Sequence, residues 1–128
     1  MHETRVAIVS ENVPTPKSAF SVAMRAAGLI FVSGQLGLDM DTGQPPANVG
    51  DEAELAIGYV RQVLAESGLG LKDVVKTTLY VTNFSDYATI NKVYSRLFPQ
   101  PFPARATVQV AGLLANARLE IEAVAVVQ

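Results

Sequence analysis

The sequence predicts an α+β fold, in which a single mixed β-sheet carries two helices packed on one of its faces. Two segments, residues 51–68 and 85–98, repeat apolar side chains at the spacing of amphipathic helices. Segments rich in β-branched and aromatic residues flank and separate them: residues 4–10, 28–35, 73–83, 104–110 and 118–127. Strands separated by amphipathic helices imply helices layered on one sheet, and no repeat or linker interrupts the chain. We therefore expect one domain spanning residues 1–128.

Both helices carry recognisable start and stop signals. In the first helix, Asp51 is the expected N-cap, Glu54 completes a capping box, and Gly68 is expected to end the helix in the left-handed conformation. Gly58 inside this helix costs about 1 kcal/mol relative to alanine, which suggests close packing there. The second helix is expected to begin with Ser85 as its N-cap and to end before the proline that follows it.

The composition excludes several classes of active site. The chain has no cysteine and one histidine, His2, so a single chain cannot assemble a disulfide, a thiolate nucleophile, a Ser-His-Asp triad, or a zinc site built from cysteine or several histidines. A net charge of −2 without a basic block gives no support for nucleic acid as a partner. The first residues lack the apolar core of a signal peptide, and no apolar run is long enough to cross a membrane. We expect a soluble, cytoplasmic protein.

One face of the predicted sheet is left uncovered by the helices. Alternation along the last strand places four side chains on that face: Glu120, Glu122, Val124 and Val126. Alternation along residues 104–110 adds three more: Arg105, Thr107 and Gln109. A face that is apolar in one part and charged at its edge favours a subunit contact with a polar pocket at its rim over a solvated surface. A charged fraction of only 17% also favours an oligomer.

Arg105 has two interpretations from its pattern alone. It can form a cross-strand surface ion pair with Glu120, which would contribute about 0 to 1 kcal/mol. Alternatively, its planar guanidinium can bind a substrate carboxylate through two parallel hydrogen bonds, and Glu120 would then serve as an acid or base. The residues themselves leave both interpretations open.

Other polar side chains sit where packing is expected. Asn91 lies on the inner stripe of the second helix beside Tyr87, so its amide needs a hydrogen bond from backbone or from a site. Ser33 and Gly34, at a strand end, offer a short hydroxyl and a close backbone approach. Tyr80 and Tyr87 are most simply interpreted as core or interface aromatics.

Four stretches carry a family resemblance. They are "LIFVSGQLGLDMDTG", "LKDVVKTTLYVTNFSDYATINKVYSRLF", "FPARATVQVAGL" and "LEIEAVAV", in that order from about residue 20 to the C-terminus. Together they resemble the Rid family, also called YjgF, of reactive-intermediate or imine deaminases. The resemblance implies a chorismate-mutase-like subunit and a homotrimer with three sites in the clefts between subunits. It also implies disposal of reactive metabolites by hydrolysis of 2-enamine or 2-imine acids, such as 2-aminoacrylate, to 2-keto acids and ammonia, without a metal or organic cofactor.

The resemblance assigns roles by position within these motifs. Arg105 matches the arginine that binds the substrate carboxylate, and Glu120 matches the glutamate that positions or activates water. The other substrate-binding positions are Ser33, Gly34, Asn91, Thr107 and Phe20. Phe20 stands where the archetypal branch has a tyrosine, and Val22 replaces a glutamine. The pocket should therefore be more apolar on that side, which makes a larger or less polar imine acid plausible as substrate.

Two further functions stay open. A non-catalytic regulatory trimer could use the same arginine to sense a small keto or amino acid, and the missing tyrosine hydroxyl favours that alternative. An RNA-cleaving or translation-inhibiting protein is disfavoured by the acidic charge balance and the absence of a basic patch. The retained glutamate favours the deaminase.

Overall fold

Two helices lie on one face of a six-stranded sheet in the computed structural model, which describes residues 4–128 and leaves His2 outside its range. The strands are β1 Val6–Ile8, β2 Ala23–Ala26, β3 Leu29–Leu36, β4 Val74–Val81, β5 Ala104–Gln109 and β6 Leu119–Val126. The helices are α1 Val49–Ala65 and α2 Tyr87–Leu97, and short 3-10 turns occur at Leu71–Asp73, Phe84–Asp86 and Leu114–Asn116. The predicted α+β class is confirmed.

The strands are arranged in the order β1-β2-β3-β6-β4-β5. Neighbouring strands are antiparallel except β4 and β5, which run parallel because α2 crosses between them. The core forms where α1 and α2 pack on the sheet, around fully buried residues such as Ile57, Leu79 and Ile121. Within residues 4–128, no helix has the length and apolarity needed to cross a membrane.

Strand β2 is the element that the sequence analysis missed. It forms a hairpin with β3 through Ala27 and Gly28, whose φ angles are 54° and 74°. Such a two-residue turn needs left-handed conformations at both positions, which Asn-Gly or Asp-Gly normally supply. Because alanine stands at the first position, the hairpin carries no recognisable turn signal in the sequence.

The predicted N-caps of both helices are wrong. Asn48 caps α1 with its Oδ1, which accepts from the backbone N–H of Gly50 at 2.7 Å and of Asp51 at 3.2 Å. Asp51 therefore lies inside the first turn. Before α2, the Oδ1 of Asn83 accepts from the backbone N–H of Ser85, so Ser85 belongs to a 3-10 turn that precedes the helix. At α1, Asn48 binds the free N–H groups three positions before the predicted cap. At α2 the N-cap is Asp86, whose side chain makes no capping hydrogen bond.

Two glycines of the α1 region behave differently from one another. Gly68 has a φ of 72° and follows the last turn of α1, as predicted. Gly58 does not pack closely: a Cβ built there would meet only the guanidinium of Arg61, at 3.9 Å. The expectation of tight packing at Gly58 is therefore wrong.

The predicted phase of β5 is inverted. Arg105 pairs with Thr77 and Thr107 pairs with Leu79, and both β4 residues are buried beneath the helices. Paired residues of parallel strands share a face, so Arg105 and Thr107 face the helix layer. The open face receives Ala104, Ala106 and Val108 instead. The sequence pattern misled because β5 is an edge strand with incomplete cover, where inward positions can be polar and outward ones apolar.

The phase of β6 agrees with the sequence analysis. Leu119, Ile121, Ala123 and Ala125 are buried under the helices. The alternate residues, Glu120, Glu122, Val124 and Val126, are half-buried on the open face. Arg105 and Glu120 therefore lie on opposite faces of the sheet, and the expectation that one subunit places them on a common face is wrong.

A buried ion pair joins the start of α1 to the start of β6. Glu52 is fully buried, and its two carboxylate oxygens accept from the Nε of Arg118 at 2.6 Å and from the Arg118 backbone N–H at 2.7 Å. The guanidinium of Arg118 also donates to the carbonyls of Ala47 and Pro46. The sequence analysis did not identify this pair, because Glu52 lies in a helix turn where acidic residues are normally exposed.

We expect Arg118→Met to destabilise the protein by about 3 kcal/mol, because it leaves the charge of Glu52 buried without a partner. Arg96→Met is the matched control. Arg96 pairs with Glu54 at 3.1 Å, but both side chains are more than half exposed, so its loss should reduce stability by less than about 1 kcal/mol. Urea unfolding of the two variants checks this difference. Equal losses would show that the Glu52 pair contributes no more than a surface pair.

Candidate active site

The guanidinium of Arg105 is held in a fixed orientation by three side chains of α2. Its Nη1 donates to the Oδ1 of Asn91 at 2.9 Å, and its Nη2 donates to the hydroxyl of Tyr87 at 2.6 Å. Its central carbon lies 4.7 Å from the centre of the Tyr94 ring, a cation–π distance. The guanidinium plane, fixed by two hydrogen bonds and the Tyr94 ring, is already oriented for bidentate hydrogen bonding to a ligand.

The spacing along α2 explains this arrangement. Tyr87, Asn91 and Tyr94 are separated by four and three residues, so they share one face of the helix, which lies against β5. Asn91 was expected to hydrogen-bond either backbone or a site, and its partner is the Arg105 side chain. Tyr87, expected to be a core or interface aromatic, also contacts this arginine. The sequence signal for Asn91 and Tyr87 was the helical spacing that places them on one stripe.

The charge of Arg105 is not neutralised within residues 4–128, where no carboxylate lies within 4 Å of it. The alternative of an Arg105–Glu120 ion pair within the subunit is therefore wrong. Arg105 is half-buried and lines a cavity of about 310 Å³ together with Asn91, Tyr94, Phe102 and Pro103. An oriented cation with neutral partners at the wall of a cavity is suited to bind an anion such as a carboxylate.

Glu120 occupies the open face, between its cross-strand neighbours Leu36 on β3 and Tyr80 on β4. Burial, and secondarily the charge of Glu122, raise the pKa of the Glu120 carboxyl. The hydroxyl of Tyr80 donates to the carboxylate of Glu122. Among residues 4–128 the Glu120 carboxylate accepts no hydrogen bond, so it can contact a ligand or a water.

Gly34 leaves the space that the Glu120 carboxyl group occupies. A Cβ built at Gly34 would lie 2.7 Å from both the Cδ and the Oε2 of Glu120. Gly34 lies in the irregular pairing between Val32 and Gln35, where β3 departs from its register with β6. The glycine thus allows close approach at a bulge, and what approaches is the side chain of Glu120.

Ser33 has a structural role within the subunit. Its hydroxyl donates to the carbonyl of Ser21 at 2.6 Å, and its backbone N–H donates to the carbonyl of Val22 at 3.0 Å. These bonds hold the segment that carries Phe20 against β3. Phe20 itself is 54% exposed and, with Gly34, lines a second cavity of about 270 Å³. The Ser33 hydroxyl proton is engaged, which leaves its oxygen as an acceptor.

The predicted site residues fall into two groups. Arg105, Asn91 and Thr107 lie on the helix side of the sheet, although Thr107 does not line the cavity beside Arg105. Glu120, Gly34, Ser33 and Phe20 lie together around the β3–β6 pair. We name these the arginine half and the glutamate half. No group of three or more metal-ligating side chains occurs in the described part of the chain.

We expect Gly34→Ala to displace the Glu120 carboxyl with little loss of stability. If Glu120 acts in catalysis, the activity should fall roughly tenfold or more, since misplaced catalytic groups lower rates. Gly58→Ala is the matched control, because its Cβ would meet only the guanidinium of Arg61, at an ordinary contact distance of 3.9 Å. That variant should retain full activity and gain up to about 1 kcal/mol of stability. Turnover assays and thermal unfolding measure both effects. Full activity in Gly34→Ala would contradict a role for the Gly34–Glu120 contact.

Comparisons with known proteins identify the family. The family model described as Endoribonuclease L-PSP matches residues 10–127. A relative from Dermatophagoides farinae named 2-iminobutanoate/2-iminopropanoate deaminase is 38% identical, over 90% of this chain and 91% of its own length. One from Arabidopsis thaliana named Reactive Intermediate Deaminase A, chloroplastic, is 39% identical, over 92% of this chain and 64% of its own length.

A solved structure gives the same assignment. The crystal structure of E. coli TdcF with bound serine matches 96% of this chain and 99% of its own, with a TM-score of 0.91 and 34% identity. The fold, the order of the motifs and the relatives all agree with the resemblance found in the sequence. The chain belongs to the Endoribonuclease L-PSP family, which is the Rid/YjgF family.

Proposed function

We propose that this chain hydrolyses reactive 2-imino and 2-enamino acids to 2-keto acids and ammonia. Arg105 binds the substrate carboxylate, and Glu120 positions and activates the attacking water. The observation that carries the proposal is the guanidinium of Arg105, oriented by Asn91 and Tyr87 and left without a carboxylate partner within residues 4–128. Two relatives named as deaminases support the reaction, and TdcF with bound serine supports a small amino-acid-like ligand.

The site is completed by a second copy of the chain in a homotrimer. Within one subunit the sheet separates the arginine half from the glutamate half, so neither half alone contains both groups. The open face carries apolar side chains that a partner would cover: Phe31, Val108, Val124 and Val126. Head-to-tail contacts that close into a ring place one patch of each subunit against a different patch of the next. Such a ring brings one subunit's Arg105 to the next subunit's Glu120.

The chemistry needs few groups. Glu120 takes a proton from water as the water oxygen bonds to C2 of the imine, and it delivers that proton to the nitrogen, which gives a tetrahedral 2-amino-2-hydroxy acid. Glu120 then transfers the hydroxyl proton to the nitrogen, the C–N bond breaks, ammonia leaves, and the C2–O bond becomes the carbonyl of the 2-keto acid. Imines already hydrolyse in water, so orienting the carboxylate and one water beside a base is sufficient. The raised pKa of Glu120 makes its carboxylate a stronger base than an exposed one.

The direct test produces 2-imino acids in situ with an amino-acid oxidase and follows their disappearance and keto-acid formation. The protein is expected to accelerate loss of the imine over buffer. Binding of a keto acid without any acceleration would instead support the regulatory, small-acid-binding alternative. The Rid family model carries an endoribonuclease description, so an RNA-cleavage assay belongs beside this test, and the net charge of −2 predicts no activity there.

A subunit-mixing experiment tests the shared site. Arg105→Ala and Glu120→Gln are each expected to be inactive, but unfolding them together and refolding gives mixed trimers. In these, an intact Arg105 of one subunit meets an intact Glu120 of the next. Random assembly restores on the order of one quarter of the sites if the halves come from different subunits. No recovery would show that one subunit supplies both residues, and a monomer by light scattering would exclude the shared site.

We also propose the cytoplasm as the location, as the sequence analysis expects. The Arabidopsis relative is named as chloroplastic, so the compartment of this chain needs a test of its own. Imaging of a tagged full-length chain in its native cell checks this point.

A further inference from the structure

An apolar cavity of about 270 Å³ opens beside the glutamate half. The side chains and backbone that carry the argument are Phe20, Val22, Gly34, Leu36, Leu38 and Leu114. Two of these connect the cavity to Glu120: Gly34 contacts its carboxyl group, and Leu36 is its cross-strand neighbour. A substrate whose reacting carbon lies at Glu120 can therefore extend its side chain past Gly34 into this cavity.

Two large apolar side chains stand at the cavity without core packing of their own. Phe20 is 54% exposed and Leu114 is 80% exposed. Leu114 begins a 3-10 turn, Leu114–Asn116, that is closed by a hydrogen bond from the Ala117 N–H to the Leu114 carbonyl at 3.0 Å. The following residues, Ala115 and Asn116, have φ angles of 56° and 58°. The left-handed conformation is unfavourable for Ala115, so the turn that presents Leu114 is formed at a local cost.

We propose that Phe20 and Leu114 form a side-chain subsite that selects 2-imino acids with branched aliphatic or aromatic side chains over those with a methyl or methylene group. This inference rests on the proposed function and deepens it. A methyl group leaves most of a 270 Å³ cavity unfilled, whereas an isobutyl or benzyl group contacts both residues. Each methylene buried in an apolar pocket changes specificity by roughly tenfold or more. Phe20 supplies a ring without a hydroxyl, so this wall offers no hydrogen bond to a polar side chain.

The test compares imines made from alanine, leucine and phenylalanine, each generated by an amino-acid oxidase. The wild-type protein is expected to show kcat/KM values at least roughly tenfold higher for the leucine and phenylalanine imines. Leu114→Ala should remove most of that advantage and leave the alanine imine almost unchanged, and Phe20→Ala should also reduce the advantage. Val9→Ala is the matched control, because Val9 is as exposed as Leu114 but does not line this cavity.

A binding measurement provides a readout that does not depend on turnover. Calorimetry should show that 4-methyl-2-oxopentanoate binds more tightly than pyruvate to the wild type, and that Leu114→Ala narrows the difference. Lys17 also lines the cavity, and its positive charge could favour an acidic side chain. The imine of glutamate is therefore added to the turnover assay as a competing substrate. A preference for that acidic imine would overturn the apolar subsite. Light scattering on each variant checks assembly. If Leu114→Ala alters assembly but not selectivity, Leu114 is a subunit contact and not part of a substrate subsite.

The outcomes separate the inference from the function beneath it. If no imine is hydrolysed faster than in buffer, the proposed function fails. The keto-acid affinities then show whether the cavity still selects large apolar side chains. If the alanine imine is hydrolysed as fast as the leucine imine, the function stands and the subsite is wrong. Loss of activity towards all three imines equally in Leu114→Ala also contradicts a selective role.

Discussion

Arg105→Lys is expected to lower kcat/KM by roughly a hundredfold or more while the protein stays folded and assembled. Lysine keeps the positive charge but cannot present two parallel N–H donors to a carboxylate. It also cannot reproduce the contacts of Nη1 with Asn91 and of Nη2 with Tyr87 that fix the plane of the guanidinium. The proposed contact with the substrate carboxylate is present in both the ground and transition states, so much of the loss should be a rise in KM.

Arg96→Lys serves as the control for this substitution. Arg96 lies on α2, the helix that orients Arg105, but its side chain is exposed and within residues 4–128 pairs only with Glu54. Its replacement should leave both kinetic constants unchanged. Steady-state kinetics of the two variants on the same imine, with circular dichroism for folding, separates a binding role from a structural one. An Arg105→Lys variant as efficient as the wild type would mean that Arg105 acts only as a point charge, and the two-pronged receptor would be wrong.

The long elements of this fold were predictable because each repeats one pattern over many residues. Helix α1 and strand β6 each combine length with a consistent apolar period, and both occur where the pattern predicts. The four-residue strand β2 was missed because Ala27 adopts the left-handed conformation that Asn or Asp usually marks. The start of α1 was misassigned because Asn48, further upstream, accepted the free N–H groups. The start of α2 was misassigned because a 3-10 turn capped by Asn83 precedes the helix.

The motifs supplied the candidate site residues, but they did not predict how the fold arranges them. The face of the sheet that Arg105 occupies depends on which β5 side chains point towards the helices. Because β5 is a partly covered edge strand, the alternation of polar and apolar residues along it does not identify that face. The orientation of Arg105 by Tyr87 and Tyr94 depends on how α2 packs over β5, which no local pattern encodes. The separation of the two halves follows from the sheet order, and it turns the expected intersubunit site from a family property into a geometric requirement of the proposed reaction.

Glu120→Gln is expected to lower the rate of imine hydrolysis by roughly a hundredfold or more, since general acid–base groups contribute about that much. Glutamine has nearly the same shape, so the space beside Gly34 stays filled and the fold is not disturbed. Stability at neutral pH should be equal to or higher than that of the wild type. The reason is that the pKa of Glu120 is raised in the folded protein, so Glu120 stabilises the fold only while its carboxyl is protonated. That contribution is complete below the unfolded-state pKa and is lost as the pH rises through the folded-state pKa.

Glu122→Gln is the matched variant, because it removes a carboxylate from the same face of β6 without touching Glu120. Glu122 accepts a hydrogen bond from Tyr80, and its charge raises the pKa of Glu120. Removing that charge should lower the pKa of Glu120 and shift the acidic side of the pH profile of kcat/KM to lower pH, with activity retained. Profiles of wild type, Glu122→Gln and Glu120→Gln on one imine measure the shift. If the acidic side stays in place in Glu122→Gln, or if Glu120→Gln is fully active, a group other than Glu120 supplies the base.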